Sequence, residues 1–228
     1  MELSNYETAD SERHRPKMDR EHLKGATLYL ITDRTLFAAQ CPLYLALETA
    51  LEAGVKAVQL REKDLSAREL LDMAYWMREL TDTFGAQLFI NDRVDVALSV
   101  EADGVHLGRQ SIPVQAVRKI AGNTLMIGVS THTIGEAIEA EKDGADFITL
   151  GPVYETPSKM NYGKPIGIET LRKAKSATTL PIFAVGGVKP GNVREVKEAG
   201  ADGIALISAI LTAQDIKKTT EDFLRVMK

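Results

Sequence analysis

A chain of 228 residues, 44% hydrophobic and 26% charged, has room for one domain of roughly 200 residues or two of about 100, with a sizeable core and no need of covalent staples. Its single cysteine, Cys41, excludes an intrachain disulfide framework and a cysteine-built zinc site, and makes a reducing cytoplasm the simplest address. The 28 Lys+Arg against 32 Asp+Glu exclude the basic excess of a general nucleic-acid binder, while a net charge of -4 is silent about a local pocket for a small anion.

Residues 1–25 carry five Lys/Arg and six Asp/Glu with scarcely any large apolar side chain, which predicts a solvated, disordered arm containing His14 and His22. The arm lacks the apolar stretch of a signal peptide, and no window elsewhere approaches the ~20 apolar residues of a membrane span. A soluble chain with no membrane partner is expected, folded over residues 26–228. Oligomeric state is not legible, so a homo-oligomer stays open.

From residue 28 onward, short apolar runs alternate with longer amphipathic segments. The runs are LYLITD (28–33), AVQLRE (57–62), QLFIND (87–92), GVHLG (104–108), LMIGVS (125–130), FITLGPV (147–153), PIFAVGG (181–187) and GIALISAI (203–210), eight candidate strands. Their near-continuous apolar character suits parallel strands covered on both faces. In the segment 66–84 between them, Leu70, Met73, Ala74 and Met77 recur at helical spacing and define one buried face. A shared corner also recurs at EAGVKAVQL (52–60), KDGADFITL (142–150) and EAGADGIAL (198–206), where Gly54, Gly144 and Gly200 suit left-handed helix ends. Eight units at roughly 25 residues each predict a single (β/α)8 TIM barrel. The rival, a doubly wound open sheet, lacks a G-x-G-x-x-G turn after the first strand.

In such a barrel chemistry sits at the C-terminal ends of the strands. Gln59, Arg61 and Lys63, two apart, share a face on the second strand, and the two cations suit a phosphate or diphosphate; a surface network of Arg61, Glu62 and Lys63 is the alternative. Asp92 after Asn91 offers Mg²⁺ a hard oxygen ligand, or else caps the helix DVALSV. The stretch GPVYETPSK (151–159), running on to Gly167, is long enough to fold over the mouth. Gly186-Gly187 after the seventh strand and Ile207-Ser208 after the eighth suit a second phosphate. His132 reads as a hydrogen-bonded structural residue before an acid/base, and His106 as a satisfied polar residue inside the barrel.

Taken in order, LYLITDR, QLREK, FINDRVDVAL, ADGVHLG, GVSTHT, GPVYETPSK, FAVGGV and GADGIALISAI resemble the motif set of thiamine-phosphate synthases, from about residue 28 to the C-terminus. The resemblance implies a transferase that joins 4-amino-2-methyl-5-(diphosphooxymethyl)pyrimidine to 4-methyl-5-(2-phosphooxyethyl)thiazole with Mg²⁺, releasing diphosphate by a dissociative substitution. It implies that Gln59, Arg61, Lys63, Asn91, Ser130 and Lys159 hold the pyrimidine diphosphate, Arg61, Lys63 and Lys159 being the catalytic cations. It places Mg²⁺ on Asp92 and the thiazole phosphate on Thr156, Ser158, Gly187, Ile207 and Ser208. Two departures stand out: Ser111 replaces the family's second metal-binding aspartate, with Arg109 in the same loop, and Ser158 replaces a threonine. They keep a thiazole tautomerase of the same barrel open, as well as another phosphate-binding barrel enzyme and a non-catalytic precursor-binding protein. The intact QLREK and Asn91-Asp92 speak against the tautomerase.

Overall fold

The computed structural model describes Leu23, residues 25–37, 43–156 and 164–228. Of the arm expected over residues 1–25, all but Leu23 and Gly25 lies outside these residues. Leu23 is 6% exposed and joins the apolar cluster inside the barrel. A large aliphatic side chain beside an open barrel end gains more from burial than from solvent.

Strands β1 (Leu28–Ile31), β2 (Ala57–Leu60), β3 (Gln87–Asn91), β4 (Gly104–Leu107), β5 (Met126–Thr131), β6 (Phe147–Leu150), β7 (Ile182–Val185) and β8 (Gly203–Leu206) pair in parallel and close in sequence order, β8 returning to β1. Helices α1 (Leu43–Glu52), α2 (Ala67–Thr83), α3 (Val94–Ser99), α4 (Val114–Ala121), α5 (Ile134–Asp143), α6 (Gly167–Ala177), α7 (Val193–Glu198), α8 (Ser208–Leu211) and α9 (Ile216–Met227) lie between and after them. This is the expected single (β/α)8 barrel. Most strands are shorter than their apolar runs, most of all in GIALISAI, where only the first four residues are strand and Ser208 onward is helical. An apolar run alone does not separate a strand from a buried helix turn.

Alternation along each strand builds two cores. Outward side chains such as Leu30, Val58, Leu60, Leu88 and Ile90 pack under the helices, α2 contributing Leu70, Ala74 and Met77 from the expected face. Inward, Tyr29, Phe89, Phe147 and Phe183 fill the barrel axis edge to face, with Tyr29 5.3 Å from Phe89 and 5.6 Å from Phe147 between ring centroids. Such contacts add about 1 kcal/mol each beyond burial. The rings fit because neighbouring strands carry no side chain there: a Cβ on Gly104, Gly128 or Gly203 would strike Phe89, Phe147 or Phe183 respectively.

The recurring corner seen in the sequence is a structural clamp. Asp103, Asp146 and Asp202 each precede an even-numbered strand, and each Oδ2 accepts the backbone N–H at the start of the preceding strand: Leu88 at 2.8 Å, Ile127 at 2.7 Å and Ile182 at 2.8 Å. The same oxygens pair with Arg78 of α2, Arg118 of α4 and Lys175 of α6. The equivalent position before β2 is Lys56, which instead donates to Phe84 O.

Two residues before the first of each pair the backbone is left-handed, at Gly54 (φ 109°), Gly144 (φ 90°) and Gly200 (φ 95°), as expected, and at Glu101 (φ 50°). Glu101 therefore carries a Cβ where the other three corners have none. Glu101→Gly is expected to raise unfolding stability by about 0.5–1 kcal/mol, roughly 1–4 °C in Tm. A thermal scan showing a fall would mean that side-chain contacts of Glu101 outweigh its backbone strain.

Candidate active site

Above the aromatic layer, towards the C-terminal ends of the strands, the barrel interior turns polar. Gln59 Nε2 donates to the Tyr29 hydroxyl (3.0 Å), which lies 3.5 Å from His106 Nδ1. On the far side of the ring, His106 Nε2 is 3.0 Å from Ser130 Oγ, which also accepts from Thr149 Oγ1 (3.4 Å). Desolvation raises the pKa of the Tyr29 phenol well above its ordinary value, only partly offset by the Gln59 hydrogen bond, so it remains protonated. Two expected residues, Gln59 and Ser130, are thus joined by a buried relay. Tyr29 and Thr149, which complete it together with His106, are missed when LYLI and FITL are read as uniform apolar runs; the period-2 rule, which puts both on the inward face, is the signal that finds them.

Past Leu60 the chain leaves the strand, and the three residues after it separate. Arg61 N donates to Thr32 Oγ1 (2.9 Å). Glu62 turns inward, 6% exposed, and both its oxygens accept the Arg34 N–H at 3.1 Å. Burial, the largest influence, raises its pKa; the hydrogen bonds from Thr32 and Arg34 oppose this. Arg61 is half-buried and Lys63 exposed, and among the described residues neither side chain makes a hydrogen bond or ion pair. A surface Arg–Glu–Lys network is therefore not what this segment forms.

Asn91 sits beside His106 in the β3–β4 register, and Asp92 N donates to His106 O (3.0 Å). Asp92 itself is left-handed at φ 62°, a conformation that costs a non-glycine residue about 1 kcal/mol and clusters at functional positions. It does not cap α3, whose N-cap is Arg93 without a side-chain cap bond, while Asp95 pairs with Arg93 (2.6 Å). Its Oδ2 accepts from Asn91 Nδ2 (2.7 Å), and its Oδ1 from the Ser111 hydroxyl and from Gly108 N (3.4 Å). Among the described residues no three His, Cys, Asp or Glu gather as a metal cluster. One carboxylate with neighbouring neutral oxygens fits Mg²⁺ only in the mode where water and substrate phosphate supply most ligands.

On the β6–β8 side, Val153 N and Tyr154 N donate to Val185 O and Gly186 O, so the strand ends carry the stem of the long loop. Gly186 and Gly187 have φ 89° and 68°, and a Cβ on either would strike Pro152 or the backbone at residues 154–155. Asn192, another residue not singled out from sequence, braces Gly187 by donating to its carbonyl (3.0 Å) and accepting from Lys189 N (2.7 Å). Ile207 is the N-cap residue and Ser208 the first residue of α8. Thr156 is half-buried at the end of the described stem. Ser158, Lys159 and the part of the loop expected to cover the mouth lie outside the described residues. His132 has the structural place expected of it, Nδ1 lying 2.5 Å from Gly151 O and its N–H on Glu136. A cavity of about 370 Å³ at the opposite end, beside Arg78 and Asp103, belongs to the clamp layer and not to this mouth.

A closed parallel barrel with two loop cations, an acidic turn and a paired-glycine turn all at its C-terminal rim is an architecture for anionic small-molecule chemistry. The chain belongs to the thiamine monophosphate synthase family, whose model matches residues 28–210. It is 50% identical over 201 residues to a putative thiamine-phosphate synthase of Geobacter sulfurreducens, covering 88% of this chain and 94% of that one. It is 43% identical to the thiamine-phosphate synthase of Clostridium tetani, covering 86% and 93%. The solved thiamine phosphate pyrophosphorylase from Pyrococcus furiosus superposes with a TM-score of 0.82 at 41% identity, covering 90% and 96%.

Proposed function

We propose that this chain is a thiamine-phosphate synthase, a transferase joining the pyrimidine diphosphate to the thiazole phosphate and releasing diphosphate. The observation that carries the reading is the inward turn of Glu62, which leaves the side chains of Arg61 and Lys63 without partners among the described residues. In the proposed reaction the bond between the pyrimidine methylene and the diphosphate oxygen breaks, its electron pair leaving on the diphosphate. The thiazole nitrogen lone pair then forms the new C–N bond, and no proton needs to move. The protein therefore needs no nucleophile, only neutralisation of the leaving group and alignment of the acceptor.

Arg61 and Lys63, with Lys159, neutralise the diphosphate, while Gln59, Asn91 and Ser130 hold the same substrate. Thr156, Ser158, Gly187, Ile207 and Ser208 hold the thiazole phosphate. Mg²⁺, carried on Asp92, would supply further charge neutralisation of the leaving diphosphate. The residues fit a soluble biosynthetic enzyme of the cytoplasm; no helix among the described residues is long and apolar enough to cross a membrane. A tautomerase would need an acid/base, and His132, its nearest candidate, is tied to a backbone carbonyl.

The test is incubation with both substrates and Mg²⁺ and assay for thiamine phosphate, with the tautomer substrate run in parallel; turnover of the latter alone would replace the reading. A second expectation concerns Ser111, whose hydroxyl binds Asp92 directly. Ser111→Asp is expected to lower the Mg²⁺ concentration for half-maximal rate by about tenfold, because a second carboxylate then faces the metal. An unchanged or higher requirement would remove Ser111 from the metal's surroundings.

A further inference from the structure

We infer that His106 is a positioning residue: its Nε2–H, together with Thr149, fills the acceptor sites of Ser130 Oγ and thereby directs the Ser130 proton out of the barrel to a hydrogen-bond acceptor on the ligand. The argument is an accounting of protons. Tyr29 is 0% exposed and its oxygen already takes an N–H from Gln59. Its own proton needs an acceptor, and the one placed for it is His106 Nδ1. Were Nδ1 protonated, two donors would meet at the Tyr29 oxygen and the buried phenol proton would be stranded, at a cost of about 1–3 kcal/mol.

With Nδ1 as acceptor, the neutral ring carries its proton on Nε2 and donates it to Ser130 Oγ at 3.0 Å. Thr149 Oγ1 donates to the same oxygen. A hydroxyl has two acceptor sites and one proton. Both sites on Ser130 are then used, and among the described residues nothing accepts its proton. Ser130 is half-buried at the C-terminal end of β5, so the side of its hydroxyl away from the relay faces the mouth. The aromatic rings around His106, Tyr29 at 5.7 Å and Phe147 at 5.8 Å, hold the imidazole in the plane this relay needs.

The direction of the proton follows from the protein alone; that its acceptor belongs to the pyrimidine diphosphate rests on the proposed reaction. The two are separable. In the ligand-free full-length protein labelled with nitrogen-15 in histidine, the His106 signals, assigned by their loss in His106→Gln, are expected to show a bare Nδ1 and a protonated Nε2. The opposite tautomer or an imidazolium overturns the inference whatever the substrate is.

The second arm measures pyrimidine diphosphate affinity by calorimetry in Ser130→Ala, His106→Phe and the double variant. Each single change is expected to weaken binding by about tenfold, with the double variant no weaker than Ser130→Ala, whereas His106→Gln, which keeps a donor towards Ser130, stays within about threefold of wild type. Additive losses would mean that His106 does not act through Ser130 and overturn the inference. If His106→Phe does not fold, Thr149→Val takes its place in the same cycle with the same expected non-additivity. The expected tautomer in a protein that does not bind the pyrimidine diphosphate would uphold the relay and overturn the proposed function.

Discussion

Arg61→Ala is expected to lower kcat/KM for thiamine phosphate formation by about two decades, roughly 3 kcal/mol of barrier, with Lys63→Ala close behind. The size follows from the chemistry proposed: as the carbon–oxygen bond breaks, negative charge grows on the diphosphate, and a fixed cation gains more from the transition state than from the ground state. Arg61→Lys should recover only part of the loss, since an ammonium replaces a planar fork that meets two oxygens at once. The fold should not notice. The described contact of Arg61 is its backbone N–H on Thr32, which alanine keeps, and Lys63 is exposed. Wild-type rates in both variants, with unfolding curves unchanged, would sink the diphosphate role of this loop.

The same loop shows which features can be read from letters and which cannot. The barrel is legible because closure needs little more than eight apolar runs with helical segments between, and the left-handed corners at Gly54, Gly144 and Gly200 announce themselves by residue type. Asp92 is legible as a position but not as a conformation: spacing alone allows it to cap α3, and its left-handed backbone, with Arg93 as the N-cap residue, excludes that alternative. Glu62 is harder. Strand alternation places it away from the cations, but its pairing with the Arg34 N–H depends on the β1 loop, 28 residues away, and no local rule reaches that far. The relay from Gln59 through Tyr29 and His106 to Ser130 is hidden for the same reason: its members come from four different strands, and only closure of the barrel brings them together.

That closure depends on the clamps at the opposite end, and Asp146→Ala is expected to lower stability by about 3 kcal/mol, a fall of roughly 6–12 °C in Tm. The carboxylate is 10% exposed and does two tasks, accepting the Ile127 N–H at the start of β5 and pairing with Arg118. Its loss leaves a buried N–H without its partner and a guanidinium, 19% exposed, without its counter-charge. Arg118 keeps the carbonyls of Leu125 and Gly144, both at 2.9 Å, which holds the cost near the lower end of that for breaking a buried pair. The contrast is Asp222→Ala, which removes ion pairs to Lys218 and Arg225, side chains 75% and 74% exposed, and should cost under about 0.5 kcal/mol. Chemical denaturation of the two variants side by side measures the difference. Equal losses would mean that the repeated Ala-Asp corner is a surface ion pair repeated by chance; the expected gap makes it the element that fixes β5, and with it Ser130, at the height where the relay can reach it.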